Sequence, residues 1–545
     1  TLGRVLFIGF LLVMLWKALE MVREWFAPGR PMTTRERIRG RELINFERIK
    51  ELAANYKGPY WGFVRLPRAS ATQHFAAIGS TGSGKTMLLR MLMQSVLPLI
   101  KKGSDSRALI YDAKADILPM LDGMGVNAPI WILNPFDERS AAWEMGIDVT
   151  APATAQQIAT ILIAPGKNES QPFFTDAARA LLTGVMISFI KRSPGKWLLS
   201  DVIHATRTTQ SLREVLSATE ETKYLIDQYL REDLTANNIL SSLATKLQPF
   251  EFIAAAWDRA ENRISLKSWL ASDSILVLGN DEAVRSALDA INRVIFRRIV
   301  ELTLAETEST TRRTWFFLDE LRQAGALDGL NNLLTAGRSK GACVVVGTQD
   351  IEGLREVYGE NKANELLGLC GHKALLRLDS PITAKWASEL FGTVEDLETR
   401  RSHSSGSSEG SGSTNVSSGT QTSEQHVVRD VVLPSEFLSL PFPSRSNGMI
   451  GYFLSPEFGG GGYRAHISGD WIAGDLNPPG TAPALLARAE DHQFLTAWSD
   501  TRRAELGLGA GAQKTAPKAA VEGGNLDSVL DEVLATSKER KKELS

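Results

Sequence analysis

A glycine-rich octapeptide carries the most specific chemistry in this sequence. It matches the pattern G-x-x-x-x-G-K-[ST] at every fixed position, between the apolar tetrapeptide 75–78 and the helix-like run MLLRMLMQSVL. Backbone N–H groups of such a loop converge on phosphate oxygens, and the following helix adds its positive end. A Gly/Ser-rich turn with a chance lysine is the alternative. The octapeptide consists of Gly79, Ser80, Thr81, Gly82, Ser83, Gly84, Lys85 and Thr86.

The last two residues of the octapeptide have separate tasks in this pattern. Lys85 is expected to reach the β- and γ-phosphates of a bound nucleotide, and the Thr86 hydroxyl is expected to bind Mg²⁺. The preceding glycines allow the tight backbone curl that brings the N–H groups together. The sequence therefore predicts a site for a nucleoside triphosphate and Mg²⁺.

Two acidic residues follow a second apolar segment, TWFFL. Residues 315–318 predict a buried strand, so Asp319 and Glu320 come at its carboxyl end, where open α/β sheets place ligand chemistry. Asp319 is expected to hold Mg²⁺ through water, and Glu320 to polarise the attacking water as a general base. A strand that ends in a solvated acidic turn is the alternative.

Two more candidates surround the next apolar strand, ACVVV. Gln349 follows the strand, where a glutamine could sense the γ-phosphate or position the attacking water. Arg338 precedes the strand and could act as an arginine finger on the nucleotide of a neighbouring subunit. An ordinary salt-bridged arginine at a helix end is the alternative, and the spacing alone favours that alternative.

Composition excludes several classes of protein. The chain has 545 residues, of which 43% are hydrophobic and 23% charged, as expected for a globular protein of two or three domains. The net charge of −2 gives no global signature for nucleic-acid binding, so any DNA contact must come from local basic patches. Cys343 and Cys370 are the only cysteines, which argues against a disulfide framework or a zinc site and is compatible with a reducing cytoplasm.

The amino-terminal segment is strongly apolar. Residues 5–16 form an uncharged run, and a basic stretch follows it. Because a complete membrane span needs about 20 residues, we interpret residues 1–30 as an incomplete membrane anchor. A buried core helix and a secretory signal are the alternatives. The positive-inside rule then places the downstream chain in the cytoplasm. The basic residues are Arg30, Arg35, Arg37, Arg39 and Arg41.

Hydrophobic periodicity divides the remaining chain. Residues 31–146 and 264–475 alternate apolar strands with helices and predict one parallel α/β sheet. Residues 147–263 have helical periodicity throughout and predict an all-α domain inserted into that sheet. Residues 402–423 are almost wholly Ser, Gly and Thr, so we expect a disordered excursion there. Residues 476–545 predict a flexible tail whose terminal amphipathic helix either docks a partner or folds back.

These pieces together resemble one family, the type IV secretion coupling proteins of the TrwB/TraD type. The resemblance covers residues 75–467, and its most specific part is the segment LLTAGRSKGACVVVGTQDIEGLREVYG. The segments GSTGSGKT, ILNPFDERSAAW, WFFLDEL and VVLPSEFLSLP also carry it. The family implies a RecA-like P-loop NTPase sheet, an N-terminal transmembrane helix and a hexamer in the bacterial inner membrane, with the catalytic domain in the cytoplasm.

The resemblance also assigns roles to individual residues. Lys85 and Thr86 match the family's phosphate- and Mg²⁺-binding pair, and Asp319 and Glu320 match its acids. Gln349 matches the sensor glutamine. Arg338 matches the position of the arginine finger, although Arg377 competes with it as the trans-acting arginine. The chain departs from the family in two respects. Family members usually begin with two membrane helices, and only the end of one apolar segment is present here. The Ser/Gly/Thr-rich segment 402–423 is also unusually plain, so it is assigned no role.

The functional hypothesis follows from this resemblance. The chain is expected to be an ATPase that uses ATP and Mg²⁺ and docks a relaxase-bound DNA strand onto the secretion channel. Its expected partners are single- and double-stranded DNA, the relaxosome, the ATPases of the type IV secretion channel and inner-membrane components. A coupling ATPase that selects only protein effectors is the first alternative. An FtsK-like DNA pump is the second, although no winged-helix domain is apparent at the carboxyl end of the sequence. A nucleotide-gated scaffold is the third, but a pure binder has no need for Glu320.

Overall fold

The computed structural model describes residues 16–17, 32–165, 172–280, 285–410, 413–489 and 494–508. Apart from Trp16 and Lys17, the predicted membrane anchor at 1–30 lies outside these residues, as does the predicted amphipathic helix at 526–544. The strands are β1 Met32–Gly40, β2 Tyr60–Trp61, β3 Val64–Arg65, β4 Phe75–Ile78, β5 Ser106–Asp112, β6 Ile130–Leu133, β7 Ala142–Trp143, β8 Arg263–Ile264, β9 Ile275–Gly279, β10 Arg313–Leu318, β11 Ala342–Thr348, β12 His372–Leu375, β13 Thr393–Gly410, β14 Ser413–Asp430, β15 Met449–Leu454 and β16 Gly462–Ile467.

The helices divide between two compact units. The sheet unit comprises Thr1–Ser140 and Leu266–Ala487, and the helical unit comprises Ala141–Ser265 and Arg488–Ser545. The α-helices of the sheet unit are Phe46–Ala53, Lys85–Val96, Ile117–Gly123, Leu266–Leu270, Arg285–Ala305, Leu330–Ala336, Ile351–Tyr358, Glu360–Leu369, Pro381–Phe391, Pro434–Ser439 and Gly469–Asp475. Those of the helical unit are Met145–Asp148, Pro152–Leu162, Pro172–Arg192, Leu199–Thr206, Thr209–Ser217, Glu220–Tyr229, Asp233–Leu247, Glu251–Asp258 and Asp500–Glu505.

A mixed sheet organises the sheet unit. Among the described residues it has nine strands in the order β16-β15-β12-β4-β11-β10-β5-β9-β6. The strands from β12 to β6 are parallel, and β15 and β16 add an antiparallel hairpin at one edge. The carboxyl ends of seven parallel strands therefore meet along one edge of the sheet, which is where such sheets bind ligands.

The central strands are buried on both faces, which explains their sequence pattern. Every residue of β4, β9 and β11 is buried. Strands covered on both faces appear in the sequence as continuous apolar runs rather than as alternating patterns. Phe75 on β4 and Trp315 on β10 extend this core, with their ring centroids 6.1 Å apart. The apolar runs of the sequence thus fix which segments form the middle of the sheet.

The helical unit is built around the helix Pro172–Arg192. Leu181, Leu182, Val185 and Met186 on this helix are fully buried. Among the described residues, this is the one helix with the length and hydropathy of a membrane span, and 56% of its most apolar window is buried inside the protein. That burial is typical of a core helix. The predicted helical insertion, 147–263, falls within the helical unit, which also includes the short parallel pair of β7 and β8.

The Ser/Gly/Thr-rich segment 402–423 differs from its prediction. We expected disorder, whereas the backbone pairs along β13 and β14 in one antiparallel ladder, from Thr393↔Asp430 to Gly410↔Ser413. On its other side, β13 pairs with β1. Backbone hydrogen bonds between strands need no apolar side chains, so composition alone is a poor guide to such a hairpin.

Two segments late in the chain complete the described fold. Residues 434–439 form a helix, with Pro434 in its first turn and Glu436 accepting the N–H of Leu433. The first part of the predicted flexible tail is folded. In the sheet unit, Gly480 N–H donates to the carbonyl of Pro119 over 2.7 Å. In the helical unit, Arg502 pairs with the buried carboxylate of Asp201 at 2.6 Å.

Candidate nucleotide-binding site

The glycine-rich loop joins the central strand β4 to the helix Lys85–Val96. Its backbone is anchored to both neighbouring strands, because Gly79 N–H donates to Thr348 O over 3.2 Å and Ser80 N–H donates to Arg377 O over 2.8 Å. Gly82 and Gly84 have φ values of 77° and 96°, in the left-handed region that favours glycine. The loop therefore has the curled conformation and the helix N-terminus that bind phosphate groups.

Lys85 points back into the loop that precedes it. Its side chain is only 6% exposed, and Nζ donates to the carbonyl of Gly79 over 3.2 Å. The same atom lies 3.7 Å from Glu320 Oε2. Burial lowers the pKa of the ammonium group, whereas the carboxylates of Glu320 and Asp319 oppose that shift. The ammonium is thus held at the loop by a carboxylate at the end of another strand.

The two predicted acids are placed at this loop by β10. The Thr86 hydroxyl donates to Asp319 Oδ2 over 3.4 Å, so the two groups predicted to hold Mg²⁺ are neighbours. Glu320 is buried, and burial raises the pKa of its carboxyl group; nearby Asp319 raises it further, while Lys85 lowers it. A carboxylate with a raised pKa beside a phosphate site is suited to accept a proton from water.

Gln349 joins the same cluster from the end of β11. Its side chain hydrogen-bonds to the carboxylate of Glu320, which lowers the pKa of that carboxyl group. Glu320, Gln349 and Thr348 line one cleft together with Arg285 and Arg322. The structure therefore brings together five of the residues that the sequence predicted: Lys85, Thr86, Asp319, Glu320 and Gln349.

Lys114 also contacts this cluster, although the sequence analysis gave it no role. It follows β5, and its Nζ donates to the Thr86 hydroxyl over 3.3 Å and lies 3.6 Å from Asp319 Oδ2. The next residue, Ala115, has a φ of 53°, which is uncommon for a residue other than glycine. A charged residue two positions after a buried strand was the available signal, but its partners depend on the strand order.

The two competing arginines are in different places. Arg338 is exposed in the 3₁₀ turn Gly337–Lys340 before β11, and it lines a cleft with Arg313 and several hydroxyl residues. That turn is at the amino end of the strand, so Arg338 does not contact the loop of its own chain. Arg377 follows β12, and its carbonyl accepts the N–H of Ser80. Of the two, Arg377 is therefore the one beside its own chain's phosphate loop.

The residues present fit a nucleotide with Mg²⁺. Three buried polar atoms at this site have no hydrogen-bond partner within the described part of the chain: Ser80 Oγ, Ser83 Oγ and Asp319 Oδ1. Serine hydroxyls can donate to phosphate oxygens, and a carboxylate oxygen can bind Mg²⁺ or one of its waters. Because buried polar atoms are almost always paired, these three point to a polar ligand.

Most of the chain matches one known protein family. The family described as the type IV secretion-system coupling protein DNA-binding domain matches residues 60–453. The chain belongs to this family. Coupling protein TraD of Escherichia coli (strain K12) is 25% identical over 390 residues, which are 70% of this chain and 51% of TraD. The chain thus spans about half the length of that curated relative.

Solved structures of the coupling protein TrwB share the fold. The unbound bacterial conjugative coupling protein TrwBΔN70 has a TM-score of 0.62 at 22% identity, over 83% of this chain and 97% of that one. TrwB with the GTP analogue GDPNP has a TM-score of 0.63 at 22% identity, over 84% and 99%. TrwB with ADP and Mg²⁺ has a TM-score of 0.61 at 21% identity, over 85% and 100%. This member of the family thus has the α/β fold of TrwB.

Proposed function

We propose that this chain is an ATPase that couples DNA substrates to a type IV secretion channel. In this proposal a hexamer in the bacterial inner membrane recruits the relaxase–DNA complex and drives conjugative DNA transfer by hydrolysing ATP. Membership of the coupling-protein family supports the DNA-transfer role. The TrwB structures with GDPNP and with ADP and Mg²⁺ support a nucleotide and Mg²⁺ as ligands.

The arrangement of Lys85 and Glu320 carries the hydrolytic part of the proposal. Their side chains are 6% and 5% exposed, and their charged atoms lie 3.7 Å apart beside the phosphate loop. A site that only binds nucleotide needs the lysine but has no use for a buried carboxylate of raised pKa. Bound ATP and Mg²⁺ would supply the phosphoryl group and the charge that neutralises it.

In this proposal each residue of the cluster has a separate role in binding or hydrolysing ATP. Lys85 holds the terminal phosphates, and the hydroxyls of Ser80 and Ser83 donate to phosphate oxygens. The Thr86 hydroxyl would bind Mg²⁺ directly, and Asp319 would hold it through water. Glu320 takes a proton from the attacking water, and Gln349 orients both the carboxylate and that water.

The proposal is tested by measuring ATP hydrolysis by the full chain in detergent, with and without DNA. We expect circular single-stranded DNA to stimulate hydrolysis, and we expect the rate per chain to rise with protein concentration as the chains assemble. Linear double-stranded DNA is added in parallel to compare the two forms. Lys85→Ala is the control and should abolish hydrolysis, because it removes the phosphate-binding ammonium.

The outcomes separate the alternatives. If DNA leaves the rate unchanged while hydrolysis still requires Glu320, a coupling ATPase that selects protein effectors becomes the better proposal. If double-stranded DNA alone stimulates, an FtsK-like pump is favoured. A full chain that binds ATP without hydrolysing it would contradict the ATPase proposal. Plasmid transfer from donor cells that depend on this chain then tests the cellular role directly.

A further inference from the structure

An exposed phenylalanine lies beside the phosphate loop. Phe442 is 47% exposed, so a large apolar side chain is open to solvent next to a polar binding loop. A Cβ atom placed on Gly82 would lie 3.7 Å from Cδ1 of this ring. The ring therefore borders the tip of the loop, and part of it is accessible to solvent.

Arg377 holds this ring in position. The guanidinium carbon lies 4.4 Å from the centroid of the Phe442 ring, in a cation–π contact. Nη1 of Arg377 donates to the carbonyl of Leu440 over 2.7 Å, and the carbonyl of Arg377 accepts the N–H of Ser80. A Cβ atom on Gly84 would lie 2.9 Å from Cγ of Pro443. Segment 440–443 is thus fixed against the loop through several independent contacts.

The strand order places this ring on one flank of the loop and the hydrolytic residues on the other. The loop follows β4, which lies between β12 and β11. Arg377 follows β12, whereas Gln349 and Glu320 follow β11 and β10. A nucleotide whose terminal phosphate lies near Glu320 then extends its base toward the β12 flank, where Phe442 is.

We propose that the ring of Phe442, held by Arg377, stacks on the base of the nucleotide bound at the phosphate loop. The inference rests on the proposed nucleotide-binding function and extends it to the recognition of the base. Aromatic side chains stack on every nucleobase, because each base has a π-face. We therefore expect similar affinities for ATP and GTP, both of which depend on Phe442.

The test compares ATP with inorganic tripolyphosphate, which has the phosphates but no base. Binding to the full chain in detergent is measured by calorimetry for the unaltered protein and for Phe442→Ala. Loss of a base–aromatic stack should weaken ATP binding by about 5- to 150-fold and leave tripolyphosphate binding unchanged. Phe442→Trp should restore ATP binding. Phe494→Ala removes a phenylalanine that is 75% exposed in the helical unit and serves as the matched control.

Other outcomes would overturn the proposal. If Phe442→Ala weakens ATP and tripolyphosphate equally, the ring supports the loop and does not contact the base. If ATP affinity is unchanged while binding of single-stranded DNA falls, the ring stacks on the nucleic acid instead. An unaltered protein that binds neither ATP nor tripolyphosphate would contradict the proposed function as well, whereas the first two outcomes leave that function intact.

Discussion

The two ends of the central sheet carry charged residues in opposite environments. At the carboxyl end, Lys85 and Glu320 are buried and paired with each other. At the amino end, Arg338 is exposed in an open cleft and forms no ion pair within the described residues. Burying charges without partners is costly, so the carboxyl end is a preassembled site. An exposed arginine without a carboxylate partner is free to bind a group from elsewhere.

The length of β11 separates these two ends. The strand Ala342–Thr348 has seven residues, which span about 23 Å at roughly 3.3 Å per residue. Arg338 precedes the strand and Gln349 follows it, so an arginine side chain cannot bridge the two. If Arg338 acts as an arginine finger, it must act on the nucleotide of another chain. The sheet would then divide into a site that acts within one chain and an arginine that acts between chains.

Among substitutions that leave ATP binding intact, the largest effect is expected from Arg338→Ala. Loss of an arginine finger should reduce hydrolysis by about 10³- to 10⁵-fold, while ATP affinity stays close to that of the unaltered protein. The reason is that an arginine finger at Arg338 would stabilise the charge of the transition state without forming part of its own chain's loop. Steady-state hydrolysis and calorimetric ATP binding measure the two quantities. Lys340→Ala, in the same turn, is the control and should have little effect.

Mixing variants shows whether Arg338 acts between chains. In a mixed assembly, Arg338→Ala chains provide an intact Glu320, and Glu320→Gln chains provide an intact arginine. Hydrolysis should therefore reappear in the mixture, although each variant alone is nearly inactive. If the mixture assembles but stays inactive, Arg338 does not act on the nucleotide of another chain. The exposed arginine at the amino end of the sheet would then have no role in hydrolysis between chains.

Glu320→Gln should have the next largest effect. Replacing the proposed general base with an amide of similar shape should lower the hydrolysis rate by about 10²- to 10⁴-fold. ATP binding should persist, because Lys85 and the loop are unchanged. Lys85→Ala is the useful comparison, since it should remove binding itself. If Glu320→Gln retains full hydrolysis, Glu320 is not the general base at the carboxyl end of the sheet.

The pH dependence of hydrolysis provides a second check on Glu320. Burial raises the pKa of this carboxyl group above its ordinary value of 4.5. A general base must be deprotonated, so the rate should fall as the pH decreases through that raised pKa, with a midpoint above 4.5. ATP affinity measured at the same pH values separates this effect from protonation of the nucleotide.

The sequence predicts the carboxyl end of the sheet better than its surroundings. Positions such as Gly84 need a left-handed backbone, and strands such as β11 are continuous apolar runs, so both leave local signals. Because Glu320 is the second residue after a buried strand, its position at the ligand-binding edge also follows from the local pattern. That it lies beside Lys85 depends on the strand order, in which β11 separates β4 from β10.

The residues that the sequence missed are those whose roles depend on distant partners. Phe442 lies between Pro441 and Pro443, far along the chain from the loop that it borders, and no local pattern connects the two. The hairpin of β13 and β14 was missed for a different reason. Its backbone pairing is independent of the apolar content on which the prediction of disorder was based.

The smallest effect is expected from substituting Lys114, which lies at the carboxyl end of the sheet. Its ammonium lies 3.3 Å from the Thr86 hydroxyl and 3.6 Å from Asp319 Oδ2, the two groups that we propose hold Mg²⁺. A positive charge at that position competes with the metal ion, although the side chain is 43% exposed and therefore partly screened by solvent. Lys114→Met should lower the Mg²⁺ concentration for half-maximal hydrolysis by about two- to fivefold, measured by titrating Mg²⁺ at fixed ATP.

Lys114→Arg is the matched control, because it keeps the charge and should leave the Mg²⁺ requirement nearly unchanged. The opposite result would also be informative. If Lys114→Met raises the Mg²⁺ requirement and weakens ATP binding, the ammonium binds a phosphate group rather than competing with the metal ion. Lys114 would then join Lys85 as a second phosphate-binding lysine, and the site would extend across the carboxyl end from β4 to β5.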